Sequence, residues 1–153
     1  MNNQAFNLSF KNIVGLLVLA IFFISDRLLK ALALFYPEKK IINNLLNFNF
    51  VPNYNISFSL PLNGPWLNIL ISGIIFAIIY FLILNYKRLS GLEFISFIAL
   101  LLGAISNLFD RFNYGFVIDY LDLRWFTIFN LADVLISISS IILLISLFKK
   151  DSK

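Results

Sequence analysis

Four stretches of this chain are long and apolar enough, or nearly so, to cross a lipid bilayer, and this limits the possible folds more than any other feature. A helix needs about 20 apolar residues to cross a hydrocarbon core of about 30 Å. The stretches lie approximately at residues 13–35, 65–84, 94–110 and 129–148. The first is clean through Ile24 and then carries Asp26, Arg27 and Lys30; the second has no charge. The third is short but apolar until Asn107, and the fourth holds a single charge, Asp133. A water-soluble bundle would show a polar stripe along each helix, and the last three stretches show almost none. Only 13% of the residues are charged, against about a quarter in soluble domains. The expected fold is an α-helical membrane protein, a single membrane domain over residues 1–153. It has four transmembrane helices and a small extracytoplasmic β-rich element.

Ala31-Leu32-Ala33 mimics a signal-peptide cleavage site, but the apolar run stops at Ile24 and three charges intervene. The first stretch is therefore read as a retained span. Four spans put both termini on one side. Lys11, Lys87, Arg88, Lys149, Lys150 and Lys153 then share the termini side, and Arg27, Lys30, Lys39, Lys40, Arg111 and Arg124 the other. Six against six does not decide orientation by counting. The second group is interleaved with Asp26, Glu38, Asp110, Asp119, Asp122 and Asp133. The termini side carries plain Lys/Arg clusters, so it is expected in the cytoplasm.

Alternation of the spans gathers the polar residues at one end. Asp26 closes span one, Asn107, Asp110 and Arg111 close span three, and Asn130 and Asp133 open span four. Ionisable residues inside a membrane are costly and usually functional. The loop over 41–60 lies at the same end. From Asn47 to Leu60, apolar Phe48, Phe50, Tyr54, Ile56, Phe58 and Leu60 alternate with a mostly polar set that includes Asn53. Period two predicts a strand or hairpin with one apolar face, resting on lipid or on the bundle. Pro52 predicts an edge position or a bend. Residues 116–126 are rich in strand formers and carry Asp119 and Asp122.

The chain has neither cysteine nor histidine, which excludes disulfides, thiol nucleophiles, a zinc site and a Ser-His-Asp triad. No metal, cofactor or nucleic-acid partner is expected. Two neighbouring carboxyls can share one proton, so that one acts as base and the other as acid. Asp26, Asp110, Asp119, Asp122 and Asp133 are the candidates for that chemistry. Each also has a structural reading. Asn130 can cap a helix with Asp133 in its first turn. Asp110 and Arg111 can pair locally, joined by Asp26 or Lys30. Asp122 reads as a solvated loop charge. Asp119, between Ile118 and Tyr120, reads equally as catalytic or structural.

Four segments in order resemble the sequence boxes of bacterial lipoprotein signal peptidase (signal peptidase II). They are Asp26-Arg-Leu-Leu-Lys30, Asn53 through Phe58, Gly103 through Arg111 with Gly115 through Asp119, and Phe129-Asn-Leu-Ala-Asp133. Ser106 stands where the family usually has glycine, and Asn55 and Ile56 stand where it usually has small residues. The resemblance covers nearly the whole chain. It implies an intramembrane aspartyl endopeptidase that removes the signal peptide from diacylglyceryl-modified prolipoproteins, just before the lipidated cysteine. It implies Asp119 and Asp133 as the catalytic pair. Asp26, Lys30, Asn53, Asn107, Asp110, Arg111, Asn130 and Ala132 become substrate-binding or supporting residues, with Arg111, Asp110 and Asp26 in one ionic network. The implied setting is the bacterial cytoplasmic (inner) membrane, multi-pass, with cytoplasmic termini and the site near the outer face. Implied partners are lipid-modified prolipoproteins, membrane lipid and globomycin-type inhibitors. The competing reading is a small four-span transporter or channel, in which the acids would relay protons. Such an acid is more often placed near the bilayer midplane.

Overall fold

A computed structural model describes residues 9–36, 39–42, 45–54 and 64–151. Its elements are α1 (Phe10–Phe35), β1 (Lys39–Ile42), β2 (Leu46–Asn53), α2 (Pro65–Asn85), α3 (Gly91–Tyr114), β3 (Val117–Leu123), β4 (Ile128–Phe129) and α4 (Leu131–Asp151). All four helices are long and apolar enough to cross a membrane. Their outward faces expose Leu17, Ile21, Ile69, Ile83, Leu144 and Phe148. So much contiguous apolar surface suits lipid rather than water.

The ends of the helices follow from local chemistry. Ser9 caps α1 by accepting from the Asn12 N–H at 3.3 Å. At α3, Ser90 and Glu93 form a reciprocal capping box, and left-handed Gly115 (φ 81°) closes the helix. These caps explain why α3 is longer than its apolar run. Helix α1 passes unbroken through Ala31-Leu32-Ala33, and Ala33 is buried.

Helix α3 is the centre of the bundle, packing on α4, α2 and α1. Leu19, Ala99 and Leu135 join α1, α3 and α4; Ile75, Leu82 and Leu101 join α2 to α3. Gly103 lets α3 approach α4 closely. A Cβ there would lie 2.6 Å from the Ala132 carbonyl oxygen and 2.8 Å from Ile136 Cγ1.

The strands form one antiparallel sheet in the order β1-β2-β3-β4. Its apolar face rests on the bundle. Phe48 and Phe50 cluster with Ala33, Leu29 and Leu34 of α1 and with Ile118 and Tyr120 of β3. The pairing of β2 with β3 shifts register between Phe48 and Val51. The pairing of β1 with β2 begins at Phe48, so β2 has no β1 partner at Pro52. Pro52 thus sits where its missing N–H is not needed on that side. Residues 55–60 of the expected period-two segment, with the rest of the second box beyond Tyr54, lie outside the described residues.

Candidate active site

Four aspartates converge where α1, α3, β3 and the start of α4 meet, and their partners divide them into two pairs. Asp26, Lys30 and Asp110 are almost fully buried, at 1%, 0% and 0% exposure. Asp26 and Lys30 lie one turn apart on α1 and pair at 3.2 Å. Lys30 Nζ also reaches Asp110 Oδ2 at 2.7 Å, and Arg27 Nη1 donates to Asp110 Oδ1. Two cations and two carboxylates therefore neutralise one another where an unpaired charge would be very costly.

Asp26 has a further task at the start of α4. It accepts the Ala132 N–H at 3.2 Å and the Tyr120 hydroxyl at 3.0 Å on Oδ1, and Ser106 Oγ at 2.6 Å on Oδ2. The Tyr120 oxygen in turn accepts the Leu131 N–H at 3.1 Å. The first two free N–H groups of α4 are thus tied to α1, directly and through β3. Burial, and then Asp26, push the Tyr120 phenol up from its ordinary value, so it stays a protonated donor.

Asp119 and Asp133 are held differently: each carboxylate oxygen has an amide or backbone N–H donor. Asn53 Nδ2 donates to Asp119 Oδ2 at 2.9 Å, and Asn130 Nδ2 to Asp119 Oδ1 at 2.7 Å. The β2–β3 register sets the first bond. Asn53 pairs with Val117 and Val51 with Asp119, so Asn53 and Asp119 are diagonal neighbours on one face. Asn107 Nδ2 donates to Asp133 Oδ1 at 2.8 Å, and the Asn130 N–H to Asp133 Oδ2 at 3.2 Å. Asp133 returns the bond by donating its own N–H to Asn130 Oδ1 at 2.9 Å. This reciprocal cap makes Asn130 the hinge between the two carboxyls. The capping reading of Asp133 therefore holds alongside its place in the site.

The orientations of two amides are fixed by their oxygens. Lys30 Nζ donates to Asn107 Oδ1 at 2.8 Å, which turns the Asn107 NH₂ toward Asp133. Asn130 Oδ1 is taken by the helix, which turns its NH₂ toward Asp119. Among the ion pairs described here, none joins Lys or Arg to Asp119 or Asp133. Burial first, and then the nearby Asp133 charge, push the Asp119 carboxyl up to about 7.

All the expected site residues that carry polar side chains fall at this end of the bundle, and Ala132 supplies a backbone donor to it. Lys30 joins Asp110 and Asp26 as expected, while Arg27 is a cation on Asp110 that was not expected. The cations on Asp110 and Asp26 are Arg27 and Lys30. Arg111 follows Asp110 by one residue, about 100° around the helix, and faces elsewhere. It lines a cavity of about 260 Å³ with Tyr54, Gly64, Pro65, Leu67, Asn68 and Gly115. It remains within electrostatic reach of Asp133, Asp119 and Asp110. Asp122 is half-buried at the far end of β3, paired with Asn47 and Ile128.

Arg27, Ser106 and Tyr120 are the participants that sequence reasoning passed over. Ser106 accepts from Arg27 and from Lys30, both at 3.3 Å, while donating to Asp26. Arg27 also lies over the Phe109 ring at 4.6 Å. The spacing Asp26, Arg27, Lys30 was a usable signal, since 27 and 30 share a helix face. Nothing local marks Tyr120.

The chain is also similar in sequence and fold to known proteins. Residues 18–149 match the family described as Signal peptidase (SPase) II. A lipoprotein signal peptidase of Syntrophomonas wolfei is 40% identical over 127 residues, covering 80% of this chain and 84% of that protein. One from Clostridioides difficile is 33% identical over 117 residues, covering 74% and 77%. Among solved structures, a bacterial membrane enzyme determined by the in meso method at 2.3 Å aligns with a TM-score of 0.79 and 26% identity. That alignment covers 91% of this chain and 90% of the other.

Proposed function

The chain belongs to the signal peptidase II family, and from that premise we propose that Asp119 and Asp133 form an aspartyl dyad that cleaves prolipoprotein signal peptides. The transporter reading is not favoured: the family is a peptidase family, and the acids lie at one end of the bundle. The observation that carries the dyad is the division of the four aspartates. Asp26 and Asp110 are committed to cations and backbone. Asp119 and Asp133 are held by neutral donors, so a proton can enter or leave without breaking an ion pair.

Charge balance supports a single shared proton. The described cluster holds three cations, Arg27, Lys30 and Arg111, and four carboxyls, Asp26, Asp110, Asp119 and Asp133. One proton makes it neutral, the favoured state in a low-dielectric site. The ionised carboxylate takes a proton from water, and the oxygen attacks the scissile carbonyl. The protonated partner gives its proton to the carbonyl oxygen. Collapse of the tetrahedral intermediate breaks the C–N bond, with a proton passing to the departing amine. No cofactor enters these steps.

The substrate is a diacylglyceryl-modified prolipoprotein, and the termini lie in the cytoplasm with the dyad near the outer face of the bacterial membrane. Globomycin-type inhibitors should bind and stabilise the protein. A cysteine-accessibility assay on Ser9→Cys and Trp125→Cys in intact cells tests the topology. Labelling of Trp125→Cys alone by an impermeant maleimide is the expected outcome, and the reverse pattern would invert the orientation.

A further inference from the structure

Asp119 and Tyr120 are neighbours on β3, and alternation along a strand sends their side chains to opposite faces. Asp119 turns to Asn53 and Asn130, whereas Tyr120 turns inward to Asp26 and is fully buried. The main-chain pairing of β3 with β4 stops at Phe129. Beyond it, side chains place the start of α4, which carries Asp133. Asn130 is one of them, and its amide and main-chain N–H hold the two reactive carboxyls themselves. Those bonds change strength whenever a proton enters or leaves the pair. The Tyr120 bonds do not. Its oxygen accepts the Leu131 N–H at 3.1 Å, two residues before Asp133. Its proton goes at 3.0 Å to Asp26, a carboxylate already committed to Lys30. The ring is seated separately, with its centroid 5.6 Å from that of Phe48.

We propose that the Tyr120 hydroxyl is a positioning group for peptide hydrolysis, clamping the first turn of α4 to β3 so that Asp133 keeps its place beside Asp119 throughout turnover. The assignment rests on the Asp119/Asp133 reading and adds to it a residue that bonds to neither carboxyl. One strand then carries a reactive carboxyl on one face and the anchor of its partner on the other. Burial, and then Asp26, push the phenol up, so the clamp does not titrate where the dyad does.

Tyr120→Phe deletes the hydroxyl and keeps the ring on Phe48. The assay uses the full-length protein in detergent and a diacylglyceryl-modified prolipoprotein. The expected result is a kcat lower by about 10–100-fold, the upper end matching a misplacement of about 1 Å, with KM unchanged. Leu19→Ala is the control for lost stability, since Leu19 lies in the core that joins α1, α3 and α4, two turns from Asp26. It should melt lower than wild type at an unchanged kcat. The pH profile separates the two further. Asp119 lies within reach of the charges of Asp133 on α4, Lys30 on α1 and Arg111 on α3. The Asp133 charge helps to hold it at about 7. A loosened α4 weakens that push, so the alkaline limb of kcat should move to lower pH in Tyr120→Phe and stay in place in Leu19→Ala. Leu131→Pro removes the donor of the same bond, at a first helical position, where proline is tolerated. Its kcat should fall likewise, and the double variant should be no slower than the slower single one. A wild-type kcat and alkaline limb in Tyr120→Phe, an equal loss of kcat in Leu19→Ala, or losses that multiply in the double variant would each overturn the clamp and leave the dyad standing. Should Tyr120→Phe fail to fold, a wild-type kcat in Leu131→Pro would overturn it alone. A folded wild type that leaves the substrate uncut would overturn the dyad reading and the clamp with it.

Discussion

Two pairs of aspartates, built from the same side chain in one buried cluster, differ in what donates to them. Asp26 and Asp110 face Lys30, Arg27, hydroxyls and a helix N-terminus. Asp119 and Asp133 face Asn53, Asn107, Asn130 and one backbone N–H. Removing a proton acceptor from the first pair strands a buried cation. Changing protonation in the second strands nothing. A membrane site can thus hold carboxylates rigidly and still keep two of them free to titrate, by placing amides between the cations and the reactive pair. Asn107 shows the device most plainly, with Lys30 on its oxygen and Asp133 on its nitrogen.

Breaking the reactive pair should have the largest effect on turnover. Asp133→Asn should lower kcat by about 10³–10⁴, the scale of lost acid–base catalysis, while thermal melting in detergent stays near the wild-type value. Breaking the ionic pair should do the reverse. Asp110→Ala leaves Lys30 and Arg27 with one buried carboxylate between them and should cost about 3–5 kcal/mol of stability, read as a lower melting temperature and yield of folded protein. Gly103→Val should follow at about 1–3 kcal/mol. Its Cβ meets the Ala132 backbone, so α4 must shift, and kcat should fall because Asp133 shifts with it. Ser106→Ala should cost about 1–2 kcal/mol and leave kcat intact, since Ser106 touches only the ionic pair.

The pH dependence sharpens the same comparison. Asp119 has a carboxyl raised to about 7 by burial and by Asp133. Below that value the folded state holds a proton that the unfolded chain gives up near pH 4. Folding therefore binds protons between about 4 and 7, and stability declines as pH rises through that window. Asp119→Asn should melt higher than wild type at pH 8 and close to it at pH 4. Activity should fall above about pH 7, as the shared proton is lost.

Much of this was legible from the chain alone, for identifiable reasons. Span length exposed the four helices, and alternation placed Asp26, Asn107, Asp110, Asn130 and Asp133 at one end. The Asn130/Asp133 spacing revealed the cap, because a cap is local. Period two revealed β2 but not its register shift between Phe48 and Val51, which depends on β3. Of the cations on Asp110, Lys30 was legible and Arg27 was not. Adjacency suggested Arg111, but α1 crosses α3 so that Arg27 reaches Asp110 beside Lys30. Tyr120 was hidden for the same reason: its hydroxyl matters only because β3 passes beneath the first turn of α4.

The most direct test of the central claim is single-turnover cleavage of a diacylglyceryl-modified prolipoprotein by four folded proteins in detergent: wild type, Asp119→Asn, Asp133→Asn and Asp26→Asn. The account predicts cleavage by wild type, none by the two dyad variants, and residual cleavage by whatever Asp26→Asn protein folds. Cleavage by either Asp119→Asn or Asp133→Asn would contradict the dyad.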